Sequence, residues 1–159
     1  MTNLISEEGL KKLHEEYDRL WKVERPKVVR GVADAAAEGD RSENAEYIYG
    51  KKRLREIDSK LKHLGSRLNI LKVAPHLPDE PVVVSFGCWV TYEEESGEKR
   101  CYQLVGPEEI DVSTGRISID SPIGKALLNK KLDDEVVVQR PDGKITLCVT
   151  GIYSTRPDR

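Results

Sequence analysis

Three histidines, three cysteines, one phenylalanine and one methionine are all that this 159-residue chain contains of those types. Cys88, Cys101 and Cys148 stand far apart with no C-x-x-C spacing. Their odd number and the lack of a leading signal segment lead us to expect reduced thiols and a cytoplasmic protein. His14, His63 and His76 are scattered as well, so no zinc cluster is proposed. No apolar run approaches the roughly 20 residues that span a bilayer, and no membrane partner is expected. Internal repeats and low-complexity segments are missing too.

Charge is abundant: Asp, Glu, Lys and Arg make up 34% of the chain, against about 25% in ordinary globular domains. The balance is uneven. Residues 1–74 hold sixteen Lys and Arg against thirteen Asp and Glu, and residues 75–159 hold ten against fifteen. The first part suits a polyanion, whereas the acidic second part argues against nucleic-acid binding by the whole chain.

Apolar residues in the first part mirror one another about Gly39-Asp40-Arg41-Ser42-Glu43-Asn44. Leu54, Ile57, Leu61, Leu64, Leu68 and Leu71 recur in steps of three and four, a heptad seam. Leu10, Leu13, Tyr17 and Leu20 do the same upstream. Paired antiparallel, residue numbers add to 81 each time, which predicts a helical hairpin folded between Asp40 and Arg41. Ser6 is the expected N-cap of the first helix, and Gly39 its left-handed C′ residue. That helix, about 32 residues, would be about 48 Å long. Pro26 interrupts the seam where Glu24 falls opposite Ile57, and a kink or register stutter is expected there. The same rule sets Gly31 opposite Gly50 and Arg30 beside Lys51. The second helix is expected over about 41–73.

Residues 75–81 carry three prolines and read as a semi-rigid linker, separating a hairpin over 1–74 from a second domain over 82–159. There the apolar period becomes two. Strands are expected at 82–95, with Gly87 a possible bulge, and at 99–105, 116–120, 135–139 and 144–152. The last two would be joined across Pro141-Asp142-Gly143. Ser121 and Pro122 open a short helix to about 130, as N-cap and first helical residue. The fold class is α+β: an antiparallel α-helical hairpin followed by a small domain with a mostly antiparallel sheet and a short helix.

Asp40 and Glu43 admit two readings. They form a capping box at the start of the second helix, or they present two carboxylates at the end of a long rod. Two exposed carboxylates make a poor Mg²⁺ site alone, because Mg²⁺ keeps several waters and is bound through one or two carboxylates plus substrate phosphates. A partner would have to supply the rest. Beyond them, Lys51, Lys52, Arg53 and Arg55 are either a solvated face or, with Tyr47 and Tyr49 nearby, a surface for single-stranded nucleic acid. Tyr47 lies on the seam and is assigned to packing.

The run from Ala35 through Gly39-Asp40-Arg41-Ser42-Glu43-Asn44 to Tyr47, continued by Lys51-Lys52-Arg53-Leu54-Arg55-Glu56-Ile57-Asp58, resembles the bacterial Gre transcript-cleavage factors, the GreB branch more than the GreA branch. Ile117-Ser118-Ile119-Asp120-Ser121-Pro122, with Lys125-Ala126-Leu127-Leu128, is similar to the same family. The resemblance implies a coiled coil followed by an FKBP-like domain that docks at the rim of the RNA polymerase secondary channel. It implies that Asp40 and Glu43 help hold a catalytic Mg²⁺ shared with the polymerase, so that backtracked RNA is cleaved by the polymerase and not by a free-standing enzyme. Lys51, Lys52, Arg53 and Arg55 then meet the nascent RNA 3′ end. Ser121, Pro122 and Ile123 are the docking candidates, and a monomer is expected. Ile48 and Gly50 stand where that branch usually has more polar residues, and Glu38 adds a third acid. Two alternatives are a channel-binding regulator that does not stimulate cleavage, and prolyl isomerase or chaperone activity of the second domain, with Phe86, Trp89, Tyr92, Tyr102 and Tyr153 as pocket candidates.

Overall fold

The computed structural model describes residues 1–39 and 44–157, which divide into two compact units. One comprises Leu10–Leu71; the other comprises Met1–Gly9 together with Lys72–Arg159.

In the first unit the chain runs up through α1 (Glu7–Arg19, whose first turn belongs to the other unit), a π-helical turn (Leu20–Glu24) and α2 (Arg25–Ala37). It returns through α3 (Ala45–Ile70). The interruption anticipated at Pro26 is this π-turn, in which the Arg25 N–H bonds the Leu20 carbonyl five residues back. Pro26 has no N–H to offer the carbonyl of Lys22, and its ring crowds that carbonyl. Widening the preceding turn relieves both problems without ending the helix. Leu20, Ile57, Leu61 and Leu64 form the buried seam, with Leu13, Tyr17 and Val28 packed against it. Leu10, Leu54, Leu68 and Leu71 are only half-buried.

The pairing of two glycines across the hairpin does not occur. A Cβ on Gly50 would lie 2.7 Å from Cγ2 of Val32, whereas one on Gly31 would meet nothing within 4 Å. Gly50 with Val32 and Gly65 with Tyr17 add to 82, one residue beyond the expected register. The second helix also starts later than expected, at Ala45, and ends at Ile70.

Residues 1–9 group with the second unit because β1 (Leu4–Ile5) pairs in parallel with β2 (Lys72–Val73). The Ser6 N–H donates to Glu109 (3.1 Å), and its hydroxyl contacts the same carboxylate while accepting from the Gly9 N–H at 3.0 Å. The main sheet has the order β5-β4-β3-β7-β6. It comprises β3 (Trp89–Glu94), β4 (Lys99–Val105), β5 (Arg116–Ser118), β6 (Glu135–Arg140) and β7 (Gly143–Tyr153). Only the β4–β5 pairing is parallel among these strands. A strand from residue 82 does not form. Gly87 takes φ +87°, and Cys88 turns back to bond the Ser85 carbonyl. The backbone of Val84 instead pairs with Asn129 and Lys130, beyond α4 (Pro122–Leu127). Val84, Phe86, Val90, Tyr92, Leu104, Leu127, Val136, Val138, Leu147 and Val149 supply most of the core.

Candidate functional site

The segment joining α2 to α3 is framed by two features. On one side Gly39, at φ +138°, follows the α2 C-cap Glu38. On the other, Asn44 is the N-cap of α3. Its carbonyl side-chain oxygen accepts the Tyr47 N–H at 3.1 Å, and its amide donates to the Ala35 carbonyl at 2.7 Å. One side chain thus satisfies an orphan donor of α3 and adds a second donor to the Ala35 carbonyl, which also accepts the Glu38 N–H at 3.2 Å. Asp40 and Glu43, with the capping box read between them, lie outside the described residues. The capping position itself belongs to Asn44, which the sequence reading passed over. Its signal was available: an Asn immediately before a run of helix formers.

The four basic candidates do not share one environment. Lys51, Lys52 and Arg55 are exposed, and among the described residues they make no ion pair. Arg53 is drawn inward: Nη2 lies 3.5 Å from Glu24 of the π-turn, and Nη1 lies 3.5 Å from Glu56. Glu24 also pairs with Arg19 at 3.5 Å. The next residue, Arg25, donates from Nε to Asp58 at 2.8 Å and covers the Trp21 ring at 5.7 Å. Glu24 and Arg25 therefore reach α3 on either side of buried Ile57. Tyr47 is half-buried, as a packing residue should be, whereas Tyr49 and Ile48 are exposed.

Ser121 caps α4: its hydroxyl accepts the Gly124 N–H at 3.0 Å and donates to the Ser118 carbonyl at 2.6 Å. Pro122 is exposed, and Ile123 packs partly against the core. Of the three docking candidates, Pro122 offers the most free surface.

The five aromatic pocket candidates fall on two faces of the sheet. Phe86 and Tyr92 are in the core, with Tyr102 packed against it. Trp89, next to Val90 on β3 and so on the opposite face, sits in register with Tyr153 and under Arg156 at 5.2 Å. Burial, with lesser help from Tyr102 and Glu94, pushes the Tyr92 phenol up to about 12.

Among the described residues no three His, Cys, Asp or Glu side chains gather to hold a metal, and no helix is long and apolar enough to cross a membrane. The acids between Gly39 and Asn44 are two hard oxygen donors, a set that suits Mg²⁺ when a partner completes the coordination.

The chain matches two family descriptions in succession: "Transcription elongation factor, N-terminal" over residues 3–73 and "Transcription elongation factor, GreA/GreB, C-term" over residues 79–154. A transcription elongation factor GreB of Pseudomonas aeruginosa is 54% identical over 143 residues, covering 90% of this chain and 85% of that one. GreB of Haemophilus influenzae is 51% identical over 152 residues, 96% of each. Among solved structures, the crystal structure of GreA factor homolog 1 (Gfh1) of Thermus thermophilus is 24% identical with a TM-score of 0.44, covering 94% of this chain and 97% of that one. With both halves matched in order and relatives named GreB at about half identity, the chain belongs to the GreA/GreB family of transcription elongation factors.

Proposed function

We propose that this factor binds RNA polymerase through its second unit, passes its helical hairpin into the secondary channel, and lends Asp40 and Glu43 to the polymerase active centre. Backtracked RNA is then cleaved by the polymerase, with this chain acting in trans. The observation that carries the reading is the hairpin. A 26-residue α3, about 39 Å long at 1.5 Å per residue, returns from a connection whose sequence is Asp-Arg-Ser-Glu. Asp40 and Glu43 would hold Mg²⁺ together with polymerase ligands and RNA phosphate. Mg²⁺ bound in this way supplies charge neutralisation and lowers the pKa of a water. Asn44 ties together the ends of the two helices that the acidic connection joins. Lys51, Lys52 and Arg55 neutralise phosphates of the extruded RNA, and Tyr49 offers a ring for a base.

The test is RNA release from halted, backtracked complexes. Asp40→Ala and Glu43→Ala should each reduce stimulated cleavage by roughly ten- to a hundredfold or more, the scale of losing a group that orients a metal, while polymerase binding persists. Wild-type cleavage by both variants would remove the acids from the mechanism. Loss of nucleotide addition with no shortened RNA would instead identify a channel-blocking regulator.

A further inference from the structure

We propose that Glu24 withholds Arg53 from RNA, so that one acidic residue of the π-turn sets how tightly the hairpin grips an extruded strand. The inference rests on the basic face being the RNA contact and adds the residue that regulates it.

Of Lys51, Lys52, Arg53 and Arg55, only Arg53 is held by carboxylates among the described residues, one on each terminal nitrogen and each from a different helix. Both contacts measure 3.5 Å, longer than the 2.7–2.9 Å or so of a charge-assisted hydrogen bond. The side chains remain reachable, at 38% exposure for Arg53 and 31% for Glu24. A phosphate can therefore take the guanidinium, but only by exchanging partners. The exchange strands neither carboxylate, because Glu24 keeps Arg19 on its other oxygen and Glu56 is 53% exposed to water. Lys51, Lys52 and Arg55 have no ion pair among the described residues to exchange and would bind first.

Glu24 is in position because of the π-turn. It is the last residue of that turn, and it reaches Arg53 one helical turn before Ile57, while Arg25 anchors to Asp58 on the other side. Arg25 and Asp58 fix the turn, and Glu24 is left for Arg53.

The experiment measures binding of a fluorescent single-stranded oligouridylate to the full chain by anisotropy across a salt series. Glu24→Gln should tighten binding about two- to fivefold, the reach of one exposed ion pair. It should also steepen the slope of log K against log salt by about 0.7, one further phosphate engaged on a single strand. Glu24→Asp shortens the reach without changing net charge and should give a smaller gain in the same direction. In a background of Arg53→Ala both gains should vanish. A gain that survives in that background, or no gain from Glu24→Gln and Glu24→Asp in folded protein, overturns the proposal alone. Wild type that fails to bind, or that binds as Lys52→Ala does, overturns the underlying RNA-contact reading and this proposal with it.

Discussion

The Asn44 side-chain amide donates to the Ala35 carbonyl at 2.7 Å while its oxygen caps α3 at the Tyr47 N–H, so one residue closes the hairpin and starts its second helix. Asn44→Ala removes both bonds and should lower stability by about 1–2 kcal/mol in thermal or urea unfolding. Asn44→Asp keeps the cap acceptor and loses the donor. It should cost less in stability than Ala. If the clasp positions the acids, transcript cleavage should fall with both variants; cleavage unchanged in Asn44→Asp would confine the residue to folding.

Gly31 and Gly50 of the hairpin should respond oppositely to alanine. Gly31 faces open space, so Gly31→Ala should gain about 0.5–1 kcal/mol from helix propensity. A methyl group at Gly50 would come within 2.7 Å of the branched Val32 side chain. Gly50→Ala should therefore forfeit that gain or destabilise, by about 1–3 kcal/mol if Val32 cannot move aside. Unfolding midpoints of the pair compared with wild type read this directly.

Residues 121–124 separate folding from docking. Gly124 is buried, and a Cβ there would clash with the Ser118 carbonyl oxygen and lie 2.9 Å from the Ile119 backbone, so Gly124→Ala should destabilise by more than about 2 kcal/mol. Ser121→Ala should cost about 1 kcal/mol as a lost cap. Pro122, exposed, should be replaceable by Ala within about 0.5 kcal/mol. If this helix start meets polymerase, Pro122→Ala weakens the complex without changing the melting curve; a pull-down with no loss would move the docking surface elsewhere.

Tyr92 is fully buried, and among the described residues its hydroxyl has no hydrogen-bond partner. Tyr92→Phe should be neutral or stabilising by up to about 1 kcal/mol, since no bond is lost and an orphaned polar group is removed. The pH dependence follows from the raised phenol, at about 12 in the fold against about 10 unfolded. Below about pH 10 the phenol is neutral in both states and nothing is lost; as pH rises from about 10 through 12 the unfolded chain ionises first, and the fold loses stability. Alkaline unfolding should therefore be shallower in Tyr92→Phe; superimposable curves would show that another group governs it.

Local signals carried much of this protein in its sequence. The heptad seam around Leu20, Ile57, Leu61 and Leu64 follows from residue spacing alone. So do the π-turn's cause at Pro26, the β4 strand at 99–105 and the Ser121 cap on α4. Each depends on neighbours within a turn or two, and the family follows from motifs equally local. Only the tertiary structure decided the rest. Residues 1–9 join the second unit through strand pairing with Lys72 and Val73. Residues 82–88 leave the ladder because Val84 finds backbone partners near residue 130. Val32, not Gly31, lies against Gly50, since helix register is set by packing and spacing leaves it uncertain by one. Arg53 is the plainest case. In sequence it is one of four like charges, and only the fold brings Glu24 from twenty-nine residues away to hold it, because an ion pair depends on distance in space and leaves no periodic trace along the chain.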